Sequence, residues 1–321
     1  KHMYYKINKP IYIKKSNFFL IDKNKQTILI SQLKKIKYLI DIKNNSKQFK
    51  INGNIFDVDY ISLWKRNYDN PNETFNEINT KNPNLDIKNL FLLEGNKKFS
   101  GKSTINFLNE KIIINYKFQD NKILVDSPNE NQNIKLASKI ELDPFFFESK
   151  IKIDNKDINF FIDYLFSYIF NSEEQYLGNM NGNVSLEISN LKNSLIDNGV
   201  INFLIKDKSI KLKKSQFEVQ DIGNIESEFW YYVNNGDLIF ISENMFELKN
   251  RKEFSRKFQV SSKLLKNVNK IYFNLEKNID NGEISISQVY INKIEKEKFS
   301  EKIFIIKNVQ LFKALIRDIL S

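Results

Sequence analysis

Apolar and polar residues alternate with a period of two through most of this chain. That alternation restricts it to strands with one dry face and one wet face. The clearest run lies within 176–220, where Met180, Gly182, Val184, Leu186 and Ile188 fall on one side and Asn181, Asn183, Ser185 and Glu187 on the other. Asn198-Gly199 follows, a dipeptide typical of a two-residue hairpin turn. The same period recurs at Ile36, Tyr38, Ile40 and Ile42, and again at Ile112, Ile114, Tyr116 and Phe118. Ile271, Phe273 and Leu275 are expected to pair with Ile284 and Ile286 across Asp280-Asn281-Gly282. Glu226 to Val233 is expected to pair with Leu238 to Ser242 across Asn235-Gly236, and Asp120-Asn121 marks a further turn. The apolar phase jumps near Ile55-Phe56, which predicts a bulge or bend there.

Two stretches break the rhythm. In 156–171 the residues Asn159, Asp163, Ser167 and Asn171 form a narrow polar stripe, and Phe and Ile fill most of the rest. This predicts a helix buried in the core or capping one end of a groove. A second helix is expected over 307–320, with Val309, Phe312, Ile316 and Ile319 on one side. The segment from Met245 to Phe258 is charge-rich and fits neither period clearly. About fifteen strands in hairpin succession predict a mainly β fold. The expected form is a long antiparallel, strongly curled sheet, like a groove or half-barrel, with those two helices. Two helices cannot cover so long a dry face. It must meet a second sheet, fold on itself, or hold something apolar.

Charge divides the chain at about its middle. Residues 1–150 carry 26 basic and 16 acidic side chains, and residues 151–321 carry 24 and 23. The expected domains follow that split: a basic region of amphipathic strands over 1–150, and a β region with both helices over 151–321. Only Arg66, Arg251, Arg256 and Arg317 are arginines. Nucleic-acid readers rely on arginine for bidentate contacts, so this composition argues against a nucleic-acid partner. There is no cysteine, which excludes disulfides, thiolate catalysis and cysteine-bound zinc. The one histidine, His2, sits in Lys1-His2-Met3, which reads as a remnant of cloning. No run of about 18 apolar residues is present to form a membrane-spanning helix.

No catalytic constellation stands out. Asp57 with Asp59, and Glu226 with Glu228, alternate with apolar residues as a solvated strand face does. Gly101-Lys102-Ser103 lacks the first glycine of a phosphate loop and is followed by strand rather than helix. Neither a cofactor nor a metal site is expected. Asn-Gly-Asn occurs twice, at 52–54 and 181–183, each time between apolar residues, a weak sign of internal repetition.

Several stretches taken in order resemble a known family: LDPFFF (142–147), YLGNMNGNVSLEISNL (176–191), DNGVINFLIKDKSIKL (197–212), DIGNIESEFWYYVNNGDLIF (221–240), EFSRKFQV (253–260) and IYFNLEKNIDNGEISISQVYINKI (271–294). In their order and spacing they look like the C-terminal region of AsmA-like proteins, especially those of AT-rich α-proteobacteria. Residues 1–141 share only that family's habit of repeated amphipathic strands. The resemblance implies a periplasmic protein tethered to the inner membrane by a segment outside this chain. It also implies kinship with bridge-like lipid transfer proteins that act in outer-membrane biogenesis, and it brings no catalytic residues.

The expectation is therefore a non-enzymatic lipid-handling module with phospholipid acyl chains on an apolar concave face, working between the inner and outer membranes. The candidate lining is Ile36, Tyr38, Ile40, Ile42, Ile112, Ile114, Tyr116, Phe118, Val184, Leu186, Ile188, Ile271, Phe273 and Leu275. The alternative is a structural or assembly protein of the envelope that binds protein partners through its sheet edges.

Overall fold

A computed structural model describes residues 9–21, 25, 27–41, 45–55, 58–95, 98–107, 110–128, 132–154, 180–191, 196–206, 209–234, 237–278, 281, 283–292, 294–295, 303–305, 313–314, 316–317 and 320. The expected helix at 156–171, the candidate residue Ile42 and the segment 1–8 lie outside them. The fold is mainly β, an open antiparallel sheet that does not close into a barrel. The chain divides into two compact units. The first comprises residues 1–151, 172–184 and 205–209, and the second comprises 152–171, 185–204 and 210–321.

In the first unit the strands follow one another as a meander: β1 (Ile11–Ile21), β2 (Thr27–Asp41), β3 (Ser46–Ile55), β4 (Val58–Asn67), β5 (Glu73–Thr80), β6 (Leu85–Leu93), β7 (Phe99–Phe107), β8 (Glu110–Gln119), β9 (Lys122–Asp126) and β10 (Ile134–Leu142). Each pairs antiparallel with the next through β10. β11 (Phe145–Asp154) and β12 (Gly182–Ser189) come next in the chain. The turn chemistry is local. Asp120 and Asn121 both take positive φ, 53° and 60°, the backbone of a two-residue hairpin loop between paired Gln119 and Lys122.

The phase jump at Ile55-Phe56 turns out to be a chain reversal, because Ile55 pairs with Val58 and closes the β3–β4 hairpin. Irregularities in register lie instead on β1, between Leu20 and Ile21, and on β2, between Leu33 and Lys35. The Asn-Gly-Asn triplets are not turns. Gly53 is inside β3 and Gly182 opens β12, each beneath an aromatic ring. A Cβ at Gly53 would lie 2.6 Å from the Tyr60 hydroxyl, and one at Gly182 would lie 2.5 Å from Phe147 Cδ1.

The second unit holds most of β13 (Asn198–Lys206) and of β14 (Ser209–Val219), with β15 (Gly223–Asn234), β16 (Asp237–Leu248), helix α1 (Arg251–Phe258), β17 (Lys270–Asn278), β18 (Glu283–Ile291), β19 (Ile294–Glu295) and β20 (Ile303–Ile305). Strands β14 to β18 pair in succession, and β19 and β20 both add to β18. Asn234 pairs with Asp237, the register that a turn at 235–236 requires. Asn198-Gly199, expected as a turn, instead opens β13. Its glycine admits the Phe217 ring, 2.5 Å from where a Cβ would stand, and Asn198 Nδ2 donates to Glu218 Oε2 at 2.7 Å. Close packing has taken the residue that turn chemistry would otherwise use.

This unit has a closed core. Phe246, Leu248, Ile271, Phe273, Ile284, Ile286 and Val289 from the sheet meet Phe254 and Phe258 of α1, with Ile316 and Leu320. The described residues 313, 314, 316, 317 and 320 are helical, within the C-terminal helix expected from sequence.

Candidate functional site

Residues directly opposite on paired strands share a face of the sheet. Following the registers of the first unit therefore traces rows across it. One row runs Ile13, Ile36, Ile51, Ser62, Ile78, Ile87, Ile105, Ile112 over β1 to β8. Seven of those eight positions are isoleucine. The adjacent row, two residues along each strand, runs Ile11, Tyr38, Phe49, Trp64, Asn76, Asn89, Ser103, Ile114. Beyond it lie Phe91 and Tyr116. Trp64 stacks on Phe91 at 5.4 Å, Phe91 meets Tyr116 at 5.5 Å, and Tyr38 meets Phe49 at 4.6 Å.

A polar seam crosses this apolar face. Ser62, Asn76, Asn89 and Ser103 are buried although each is polar. Asn76 lies 2.8 Å from Ser62 Oγ and 2.8 Å from the Asn89 amide, and Ser103 bonds Asn89 in turn. The Trp64 indole Nε1 lies 3.1 Å from the Asn76 amide, so an amide oxygen turned toward it satisfies the indole. The seam is hydrogen-bonded along its length, which is what makes its burial tolerable. At the far edge the Tyr116 hydroxyl donates to the Leu90 carbonyl at 3.2 Å, and burial pushes that phenol up to about 12. It is therefore a neutral donor throughout the physiological range.

This face is not covered as the second unit's is. Among the described apolar residues of the first unit only Ile28, Ile112 and Ile114 are buried. Phe49 remains 41% exposed, Leu93 48% and Ile13 51%. Beside Phe49 a shallow depression of about 340 Å³ is lined by Lys47, Phe49, Ile51, Trp64, Lys65, Arg66 and Thr74.

The candidate lining residues separate accordingly. Ile36, Tyr38, Ile40, Ile112, Ile114, Tyr116 and Phe118 share the open face of the first unit, with Ile112 and Ile114 at its base. Val184 is half-buried in the same unit, on β12. Leu186, Ile188, Ile271 and Phe273 are buried in the second unit, 1–6% exposed. Ile271 and Phe273 belong to the core that α1 closes, and Leu275 packs against that core. These three are structural positions rather than open lining: period two reports which face is dry, not whether another layer covers it. Sequence reading missed Trp64, Phe91 and the isoleucine row as a set, because a row becomes visible only when the register is known.

Other candidates reduce to solvated pairs. Asp59 accepts from Lys34 at 2.7 Å, which together with Asn54 holds its carboxyl below the usual range. Glu226 is held down by Lys214 at 2.6 Å. A cleft of about 470 Å³ in the second unit has a mixed lining, with Ile188, Val200, Phe217 and Met245 among its apolar residues, and its carboxylates are engaged: Glu187 by Lys152, Glu218 by Asn198, Glu226 by Lys214 and Glu247 by Lys270. Gly101-Lys102-Ser103 is interior to β7, where no phosphate loop can form. No protein-family model, no curated protein and no solved structure matches the chain.

Proposed function

We propose that the chain is a non-enzymatic lipid-handling module of the cell envelope that holds phospholipid acyl chains on the apolar face of its first unit. The observation that carries this reading is the partly exposed isoleucine row beside Trp64, Phe91 and Tyr116. Each methylene taken out of water is worth about 0.8 kcal/mol, so such a face stabilises a chain laid along it. Eight strands at about 4.8 Å spacing make the row about 34 Å long. A single acyl chain spans about 15 Å of a leaflet, so the row accommodates one with room to move. The AsmA-like resemblance points the same way and is the basis for proposing a periplasmic location, an inner-membrane tether and a role in outer-membrane biogenesis.

The chain carries its own control for a test. Of its two tryptophans, Trp64 lies on the apolar face, whereas Trp230 is exposed on β15. In the single-tryptophan variants W230F and W64F, phospholipid with brominated acyl chains is expected to quench Trp64 emission strongly and Trp230 emission little. Equal quenching of both, or of neither, would overturn the proposal.

A second reading has one observation in its favour. Ten of the eleven residues of β1 are exposed, including Ile11, Ile13, Phe18, Phe19 and Ile21. A strand so placed is suited to adding a partner's strand at its edge, as an assembly protein of the envelope would. Stable, lipid-free protein that associates through β1 would favour it.

A further inference from the structure

Lys47 and Arg66 stand directly opposite one another on β3 and β4, in the row beyond Phe49 and Trp64 on the apolar face. Like charges placed so destabilise a sheet. Some lysines on other strands are paired with carboxylates, as Lys34 is with Asp59, Lys152 with Glu187 and Lys214 with Glu226. Among the described residues no carboxylate forms an ion pair with Lys47 or Arg66. Arg66 Nη2 donates to the Pro71 carbonyl, which fixes the guanidinium and leaves its other N–H groups to bond elsewhere. Both side chains are half-buried, and both line the depression floored by Phe49, Ile51 and Trp64.

Two unpaired cations at the mouth of an apolar depression are the complement of an anionic amphiphile. We propose that Lys47 and Arg66 form the headgroup subsite for an anionic phospholipid whose acyl chain lies over Phe49, Ile51 and Trp64. This rests on the acyl-chain reading above and adds a headgroup preference to it. The guanidinium fork suits two phosphate oxygens, and the ammonium supplies a point charge beside them.

The test uses the full chain carrying W230F, so that Trp64 reports alone. Brominated-chain phosphatidylglycerol and phosphatidylcholine are titrated separately. The parent is expected to bind the anionic lipid more tightly. In K47Q/R66Q that preference should disappear, with phosphatidylglycerol binding weakened at least tenfold, as befits the loss of charge-assisted hydrogen bonds. Phosphatidylcholine, whose choline cation offsets its own phosphate, should lose less, and a far-ultraviolet circular dichroism spectrum equal to the parent's shows that the variant is folded. If the parent lacks the preference, or the variant keeps it, this inference falls and the acyl-chain reading stands. If neither lipid quenches Trp64, both fall. Displacement of the anionic lipid by millimolar inorganic phosphate would make this a free-phosphate site and overturn the headgroup assignment.

Discussion

Asn76 is wholly buried, and it sits where a lipid-facing surface would be expected to carry another isoleucine or aromatic residue. Its amide joins Ser62 to Asn89, and Ser103 extends the chain. Removing one member strands the rest. N76A is expected to cost about 1–3 kcal/mol in chemical denaturation, because Ser62 and Asn89 each lose a partner out of reach of water. Replacing all four together by apolar residues of similar size should cost less than the single change, since no orphaned group then remains. If N76A proves neutral while the fourfold variant unfolds, the seam is not a hydrogen-bonded unit. The second unit repeats the device: Ser227 Oγ donates to Asn244 Oδ1 at 2.7 Å, and Asn244 Nδ2 donates to Ser242 Oγ at 2.9 Å. Such seams were not legible in the sequence. Ser62, Asn76 and Asn89 look there like breaks in the apolar period, and only the register shows that the breaks coincide.

At the scale of elements, legibility followed how local each signal was. Asp120-Asn121 was readable because a two-residue reversal depends on backbone preference at the turn itself. Asn198-Gly199 misled because Phe217 needs the space above Gly199. Helix α1 was hidden by its charge. RKEFSRKF has only two apolar residues, Phe254 and Phe258, four apart, and both are buried. Its start did carry a signal: Asn250 caps it by accepting from the Glu253 amide at 3.2 Å, the spacing of a capping motif. The helix ends at Gln259 in the left-handed region, φ 58°. An eight-residue helix owes its stability to packing rather than propensity. F254A is therefore expected to cost about 3–5 kcal/mol. N250A should cost about 1 kcal/mol, both read from denaturation midpoints. Comparable costs would mean that the cap, not the contact of Phe254 with Phe246 at 5.8 Å, holds α1 in place.

Across the whole molecule the two units differ in how they treat the same amphipathic strand. In the second unit the dry face is sealed by α1 and by Ile316 and Leu320, whereas in the first it stays partly open. Hydrogen exchange should register the contrast, with amides of β16 to β18 protected longer than those of β1 and β2. Added phospholipid should slow exchange over β3 to β8 and leave β16 to β18 unchanged, since a ligand protects only what it binds. The reverse pattern would move the binding face to the second unit. The isoleucine row carries a consequence for motion as well as for affinity. To a hydrocarbon tail lying across the strands, the surface presents the same side chain at every step of about 4.8 Å. A periodic lattice of equal wells offers no resting place, so a tail on it diffuses in one dimension over low, regular corrugations. The period is interrupted only at Ser62, two rows along β4 from the Lys47–Arg66 pair. That single step lies on the same strand as Arg66, with Trp64 between them, so a sliding molecule would pause within reach of the proposed headgroup subsite.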